Sequence, residues 1–227
     1  MIRRHGKLLL LHAAANALLL WLAYEWLGVD ETSTGKLVLS AVDALAILTL
    51  ICWLYGTTLV WFRSDEPRLN ASFRTALRHL GALLLFAVAA LAVYGLVARG
   101  AGAMPGAAIK VASWMTWTIR RPVKPAAIAT VFQTAVWLLR WVALPLLLVP
   151  IASAIAAEGR LHYRLRRGHL WIPLLAVLGL WAPLAIVNWK PGSAGFGLEL
   201  ASFVLRAAMA YVLFLGSMLG MARVAAR

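Results

Sequence analysis

Six long apolar runs constrain this chain more than any other feature of its sequence. They cover residues 8–27, 37–62, 80–98, 126–157, 170–187 and 196–221. A helix needs roughly 20 apolar residues to cross the hydrocarbon core of a bilayer. The runs lack the period-two alternation that a membrane β-barrel requires. The sequence therefore predicts an all-α integral membrane protein with six transmembrane helices, built as a single polytopic domain over residues 1–227.

Composition excludes the main alternative classes. Hydrophobic residues make up 63% of the chain and charged residues 13%, whereas a soluble domain is near half apolar and a quarter charged. Cys52 is the only cysteine, so no disulfide can form within the chain. The net charge of +14 raises the question of nucleic-acid binding. The basic residues punctuate the apolar runs instead of gathering on one solvated face, so we expect no nucleic-acid partner.

The distribution of basic residues predicts the orientation of the chain. With the N-terminus inside, the outer loops between spans one and two and between spans five and six carry only Lys36 and Lys190. The inner segments carry Arg3, Arg4, Lys7, Arg63, Arg68, Arg74, Arg78, Arg160, Arg164, Arg166, Arg167, Arg223 and Arg227. Positive charge is enriched on the cytoplasmic side, so both termini are predicted to be cytoplasmic. A compact chain without a recognisable targeting signal favours the bacterial inner membrane.

The segment between the third and fourth spans departs from this pattern. The topology places it outside, although it holds the basic residues Arg99, Lys110, Arg120, Arg121 and Lys124. Pro105 and Pro122 bound its central part. One interpretation is a re-entrant segment or a seventh crossing, which would put the C-terminus outside.

Helical periodicity within this segment favours a different interpretation. Lys110, Trp114, Trp117 and Arg121 tend to one helical face, opposite an apolar face. Tryptophans flanked by basic residues suit the headgroup layer. We therefore predict an amphipathic interfacial helix at about residues 106–121. Trp114, Trp117 and Arg121 are its candidate headgroup contacts.

The charges within the spans fall at a common depth. Counted at 1.5 Å of rise per residue from the inner boundary, they lie about 25 to 36 Å along their helices, near the outer boundary of a core about 30 Å thick. These residues are Glu25, Asp43, Arg140, Glu199 and Arg206. Intramembrane charges usually face a bundle interior and pair, so we predict an outward-facing polar cluster in which Asp43 and Arg140 are partners. Snorkelling to the headgroups or structural ion pairing explains the same pattern.

Two further patterns suggest contacts with lipid or protein. Arg160, Arg164 and Arg167 recur at helical spacing on the inner side, where we predict a cytoplasmic extension of the helix after the fourth span. They suit anionic headgroups, although orientation bias alone explains them equally well. Gly216 and Gly220 form a GxxxG pattern on the last span. Such a pattern permits close helix approach, either in a homodimer or within one chain.

No catalytic, metal or cofactor motif is found. The five histidines lie near the inner side without ligand spacing. A haem or metal pair of His12 with His79 or His169 is therefore disfavoured against imidazoles at helix ends near water. Pro145 and Pro150 in the fourth span predict a kink that could serve as a hinge.

These observations favour a non-catalytic membrane protein that acts by binding, either as an accessory or scaffold subunit or as a lipid-interacting protein. A small transporter or channel that uses the outer polar cluster is the alternative. An intramembrane enzyme is the third hypothesis, with Glu25, Asp43 and Glu199 as its acid–base candidates.

Overall fold

Six helices of the structure are long and apolar enough to cross a membrane, which confirms the predicted fold class. The structure is a computed structural model that describes residues 2–30, 32–163, 166–189 and 195–226. Within these residues we number the helices α1 (Ile2–Leu27), α2 (Thr34–Arg63), α3 (Leu69–Arg78), α4 (Leu80–Ile119), α5 (Pro125–Glu158), α6 (Arg167–Asn188) and α7 (Phe196–Ala226). All of them except α3 are spanning helices.

α2 is the central helix, because it packs against α1, α3, α4, α5 and α7. Gly56 allows α4 to approach closely, since a Cβ atom there would lie 2.8 Å from Cδ1 of Leu83. The main apolar core joins α2, α4, α5 and α7 through Leu59, Leu83, Ile155, Ala156 and Ala222. It therefore lies toward the end of the bundle at which α2, α5 and α7 terminate. We call this the basic end, and its described cations include Lys7, Arg63, Arg68, Arg74, Arg78, Arg160, Arg166, Arg167 and Arg223.

α5 and α6 each contain one π-helical turn. The turns span Leu139–Ala143 and Val177–Trp181. In each, the first residue after the turn donates its N–H to the carbonyl five residues back. Each turn ends two residues before a proline, Pro145 or Pro183. Proline lacks an N–H and crowds the carbonyl four residues earlier, and an inserted residue just before it accommodates this in the hydrogen-bond pattern of the helix. The predicted kink at Pro145 stays a prediction.

The segment after the third predicted span does not form a separate interfacial helix. Residues 106–119 continue α4, which runs for 40 residues, about 60 Å. Pro105 lies inside the helix, where its fixed φ is helical and only one hydrogen bond is lost. The helix ends before Arg120, which is left-handed at φ 54°. Neither the predicted interfacial helix nor a seventh crossing is confirmed.

The outer half of α4 pairs with the first half of α5. We call residues 100–138 the arm; it comprises the end of α4, a turn and the start of α5. α4 packs against α5 here, and Ala108 and Ala112 are buried on α4. Their small side chains allow the two helices to lie close together. Most of the other side chains of the arm are exposed.

A short amphipathic helix lies instead between the second and third spans. α3 packs against α2 and buries Ser72 and Ala76. The Trp53 ring of α2 lies 5.1 Å from the Phe73 ring, measured between centroids. The opposite face of α3 leaves Arg74 and Arg78 exposed.

Candidate functional site

The five charged residues of the predicted outer cluster are not linked by direct contacts. Glu25 and Glu199 are exposed, and Asp43, Arg140 and Arg206 are half-buried. Among the residues that the structure describes, no ion pair or hydrogen bond joins any two of the five. Whether they act as one site stays a prediction.

An ion pair near the loop between α1 and α2 joins two residues that do not belong to the predicted cluster. Lys36 Nζ lies 2.9 Å from the Asp30 carboxylate, to which the Thr32 hydroxyl also donates. The hydrogen bond from Lys36, followed by the bond from Thr32, holds the pKa of the Asp30 carboxyl below its usual value. Both side chains of the pair are about half exposed, so the pair fixes the loop more than it stabilises the fold.

Arg206 caps the end of a neighbouring helix. Its guanidinium donates to the carbonyl of Val187 at 2.9 Å and to that of Trp189. It also lies 5.9 Å from the centroid of the Trp189 ring. The last carbonyls of a helix lack partners within it, and a cation is favourable beside them. Arg206 of α7 therefore secures the C-terminus of α6.

Arg140 lies in the π turn of α5. The turn diverts the N–H of Leu144 from the carbonyl of Arg140 to that of Leu139. The freed carbonyl accepts a hydrogen bond from the Tyr94 hydroxyl of α4 at 3.2 Å. α4 thus supplies the partner that the interrupted helix lost, as buried backbone groups require.

The predicted headgroup contacts are exposed wherever the structure describes them. Trp114 and Trp117 in the arm are 64% and 81% exposed, and Arg121, Arg160 and Arg167 are exposed as well. Arg164 lies outside the described residues.

The helical extension expected after the fourth span does not form. α5 ends at Glu158, because Gly159 takes the left-handed conformation at φ 67°. Arg160 therefore follows the helix and does not share a helical face with Arg167.

One glycine of the GxxxG pattern lies close to a neighbouring helix of the same chain. A Cβ atom at Gly220 would lie 3.2 Å from Leu175 of α6, whereas one at Gly216 would meet no atom within 4 Å. Nearby, a Cβ atom at Gly179 would lie 2.3 Å from Cβ of Ser217. The small residues therefore bring α6 and α7 together. The homodimer contact stays a prediction.

A pocket of about 250 Å³ opens at the basic end between α2, α5, α6 and α7. Its polar lining residues are Arg63, Glu158, His162, Arg166 and His169. Arg63 and Glu158 form an ion pair across the pocket. Pro150, Ala154, Ala225 and Ala226 complete the wall. Among the residues that the structure describes, the pocket thus combines two guanidinium groups and two imidazoles with one carboxylate, which Arg63 already engages.

His169 is the buried polar group of this pocket. Its side chain is 3% exposed. Nδ1 accepts the backbone N–H of Arg166 at 3.4 Å, so the proton of the neutral ring lies on Nε2. Within the described residues, Nε2 is buried without a hydrogen-bond partner. His169, one of the residues that line the pocket, therefore carries a buried N–H donor that no other described residue satisfies.

A second histidine is buried between α1 and α2. His12 is fully buried, and its Nε2 lies 2.8 Å from Oγ1 of Thr58. The Thr58 hydroxyl donates to the carbonyl of Leu54, so His12 must donate to Thr58. His12 Nδ1 and Asn16 Nδ2 are both buried without a partner among the described residues. His12 and Asn16 are four residues apart on α1, so they share one face of that helix.

The burial of these two histidines is not predicted from the sequence. His12 and His169 are considered there only as members of a disfavoured haem or metal pair, and all five imidazoles are expected near water at helix ends. That expectation fits the exposed His162 but not the buried His12 and His169. One usable signal existed for α1, because His12 and Asn16 stand at helical spacing in an otherwise apolar run. No comparable spacing marks His169, whose burial arises from contacts between distant segments.

Comparison with known proteins gives no relative: no protein-family model, curated protein or solved structure matches this chain.

Proposed function

We propose that this chain is a non-catalytic membrane protein that acts by binding anionic lipid headgroups at its basic end. In this proposal the basic end and both termini face the cytoplasm of a bacterial inner membrane. The observation that carries the proposal is α3, a short amphipathic helix at the basic end. A helix that anchors one face on a bundle and exposes basic side chains beside apolar ones suits the headgroup layer.

The composition of the exposed face of α3 supports this role. Arg74 and Arg78 are exposed, and so is the apolar side chain of Leu77. A groove of about 620 Å³ lies beside them, lined in part by Lys7, Arg68 and Arg74. None of the described residues that line the groove is acidic. Each basic residue near an anionic membrane surface contributes about 1 kcal/mol, so these cations favour anionic over zwitterionic lipid.

A scaffold role through a protein partner is the other form of a binding function. The exposed Trp114 and Trp117 of the arm are available to either a headgroup layer or a protein. Lipid binding is favoured over the scaffold role, because it accounts for the basic residues at the basic end. A purely apolar protein partner would not account for them.

The test measures lipid selectivity around the purified full chain. The protein is reconstituted in phosphatidylcholine with a spin-labelled phosphatidylglycerol, and the preference for the labelled lipid is measured. The double variant Arg74→Gln/Arg78→Gln removes two charges, so the preference should fall by roughly fivefold for each charge that contacts lipid. The matched control is Lys36→Gln, which removes a cation from the loop between α1 and α2. Equal selectivity in all three proteins would refute the proposal.

A small transporter is the second candidate, and the paired π turns favour it. The turns of α5 and α6 contact each other, and next to them the Trp137 ring meets the Trp181 ring edge to face at 6.2 Å. π turns inside helices are frequent at functional sites, and Arg140 lies within one of them. The candidate predicts proton flux into liposomes containing a trapped pH indicator. That flux should be lost in Asp43→Asn and Arg140→Ala, whereas flux equal to that of empty liposomes would exclude proton transport.

A further inference from the structure

The pocket at the basic end has the features of a binding site for one anionic group. Its volume of about 250 Å³ is far larger than the 10 to 15 Å³ or so that one water needs. The lining residues come from four helices and from the segment that joins α5 to α6. Residues as far apart as Arg63 and Ala226 meet here, so the fold itself assembles the pocket.

The buried imidazole of His169 indicates which chemistry fits. An N–H donor that is buried without a partner destabilises a protein, because it has lost its hydrogen bonds to water. The bond from the backbone of Arg166 to Nδ1 fixes the ring so that Nε2 is its donor. A ligand that accepts a hydrogen bond would remove this penalty.

The charge of the remaining lining residues indicates an anion. Arg63 and Arg166 are permanently charged, whereas Glu158 is the one carboxylate among the described lining residues. A planar guanidinium and a fixed imidazole N–H together suit an oxygen-rich group such as phosphate.

We propose that this pocket binds a phosphate group, with the Nε2–H of His169 as the buried donor and Arg63, His162 and Arg166 as the surrounding donors. The group belongs either to an anionic lipid headgroup or to a free phosphate compound. The inference rests on the proposed function only in placing the basic end at headgroup level.

Two probes distinguish the sources. Inorganic phosphate and dioleoylphosphatidic acid are each titrated into the purified full chain in a nonionic, phosphate-free detergent. Saturable binding of the lipid alone would assign the site to a headgroup, and saturable binding of inorganic phosphate would assign it to a free phosphate compound. Absence of saturable binding for both probes would overturn the proposal.

Variants of His169 test the buried donor. His169→Leu should weaken binding roughly tenfold, because it removes one hydrogen bond to a charged group. His169→Gln retains an N–H donor and should stay within about threefold of the natural chain. Should His169→Leu fail to fold, Arg166→Gln provides the second test, with an expected loss of similar size. Unchanged binding in the folded variants would also overturn the proposal.

The control separates this proposal from the lipid selectivity proposed above. Arg74→Gln/Arg78→Gln alters α3 but no residue that lines the pocket, so phosphate binding should be unchanged. If the α3 variant loses lipid selectivity while His169→Leu binds phosphate normally, the pocket proposal fails alone. If the reverse is found, the proposed function fails and the pocket proposal stands.

Discussion

The contacts at the basic end and in the arm differ in kind. At the basic end, side chains distant in sequence meet, as His12 meets Thr58 and Arg63 meets Glu158. In the arm, α4 packs against the helix that follows it in the chain. The basic end therefore depends on the whole bundle, whereas the arm depends on one helical hairpin.

This contrast shows where a chain of this kind can bury polar side chains. The basic end buries imidazoles, hydroxyls and an amide among several helices. In the described part of the chain, two of these histidines have a ring nitrogen without a hydrogen-bond partner. In the arm, the buried side chains are the alanines Ala108 and Ala112. Polar groups are buried where several helices supply partners, and a single hairpin seam is filled with small apolar residues.

The largest effect is expected for Gly159→Ala at the basic end. Gly159 has a positive φ, and a Cβ atom there would lie 2.5 Å from Nδ1 of His79. Left-handed strain and overpacking together should lower the free energy of unfolding by roughly 2 to 4 kcal/mol. Thermal unfolding in detergent, followed by circular dichroism, measures the change. Adding His79→Ala should restore the part of the lost stability that is due to the clash with the His79 ring.

The matched control for this prediction is Gly106→Ala in the arm. Gly106 is helical, and a Cβ atom there would meet nothing within 4 Å. Alanine should therefore stabilise α4 by about 0.5 to 1 kcal/mol. A similar loss of stability in both variants would mean that the arm is packed as tightly as the basic end.

A second prediction tests the arm itself. Ala112 is 1% exposed, so Ala112→Leu should force α4 and α5 apart locally, at roughly 1 to 3 kcal/mol. Hydrogen exchange should become faster over residues 100–138 and stay unchanged at the basic end. Ser113→Leu adds similar bulk to the exposed neighbour and should have no such effect. Faster exchange throughout the bundle would show that the arm is not independent.

The sequence predicted what depends on local pattern. Six spans follow from the length and hydropathy of the apolar runs, and the interruption at Pro145 follows from the chemistry of proline. The burial of His169 depends instead on how α2, α5, α6 and α7 meet, and no single run encodes that. The prediction of an interfacial helix depends on Trp114, Trp117 and their basic neighbours at helical spacing, with Pro105 as the boundary of the segment. Proline does not have to end a helix here, because it is tolerated within membrane helices whose surroundings satisfy the backbone.

A third prediction concerns the place where the arm joins the bundle. Tyr94→Phe removes the hydroxyl that binds the freed carbonyl of Arg140, which should lower the free energy of unfolding by about 1 kcal/mol. Tyr163→Phe removes an exposed hydroxyl at the basic end and serves as the control. Equal stability of the two variants would show that the π turn of α5 needs no partner from α4.

The smallest effect is expected for the ion pair between Arg63 and Glu158. Their side chains are 33% and 45% exposed, so a double-mutant cycle with Arg63→Gln and Glu158→Gln should give a coupling of about 0.2 to 1 kcal/mol that decreases with salt. The comparison pair is Arg68 and Glu66, only two residues apart and far more exposed, for which the coupling should be close to zero. Because Arg63 and Glu158 join the ends of α2 and α5, a coupling no larger than that of the comparison pair would mean that long-range contacts at the basic end come from apolar and buried polar packing alone.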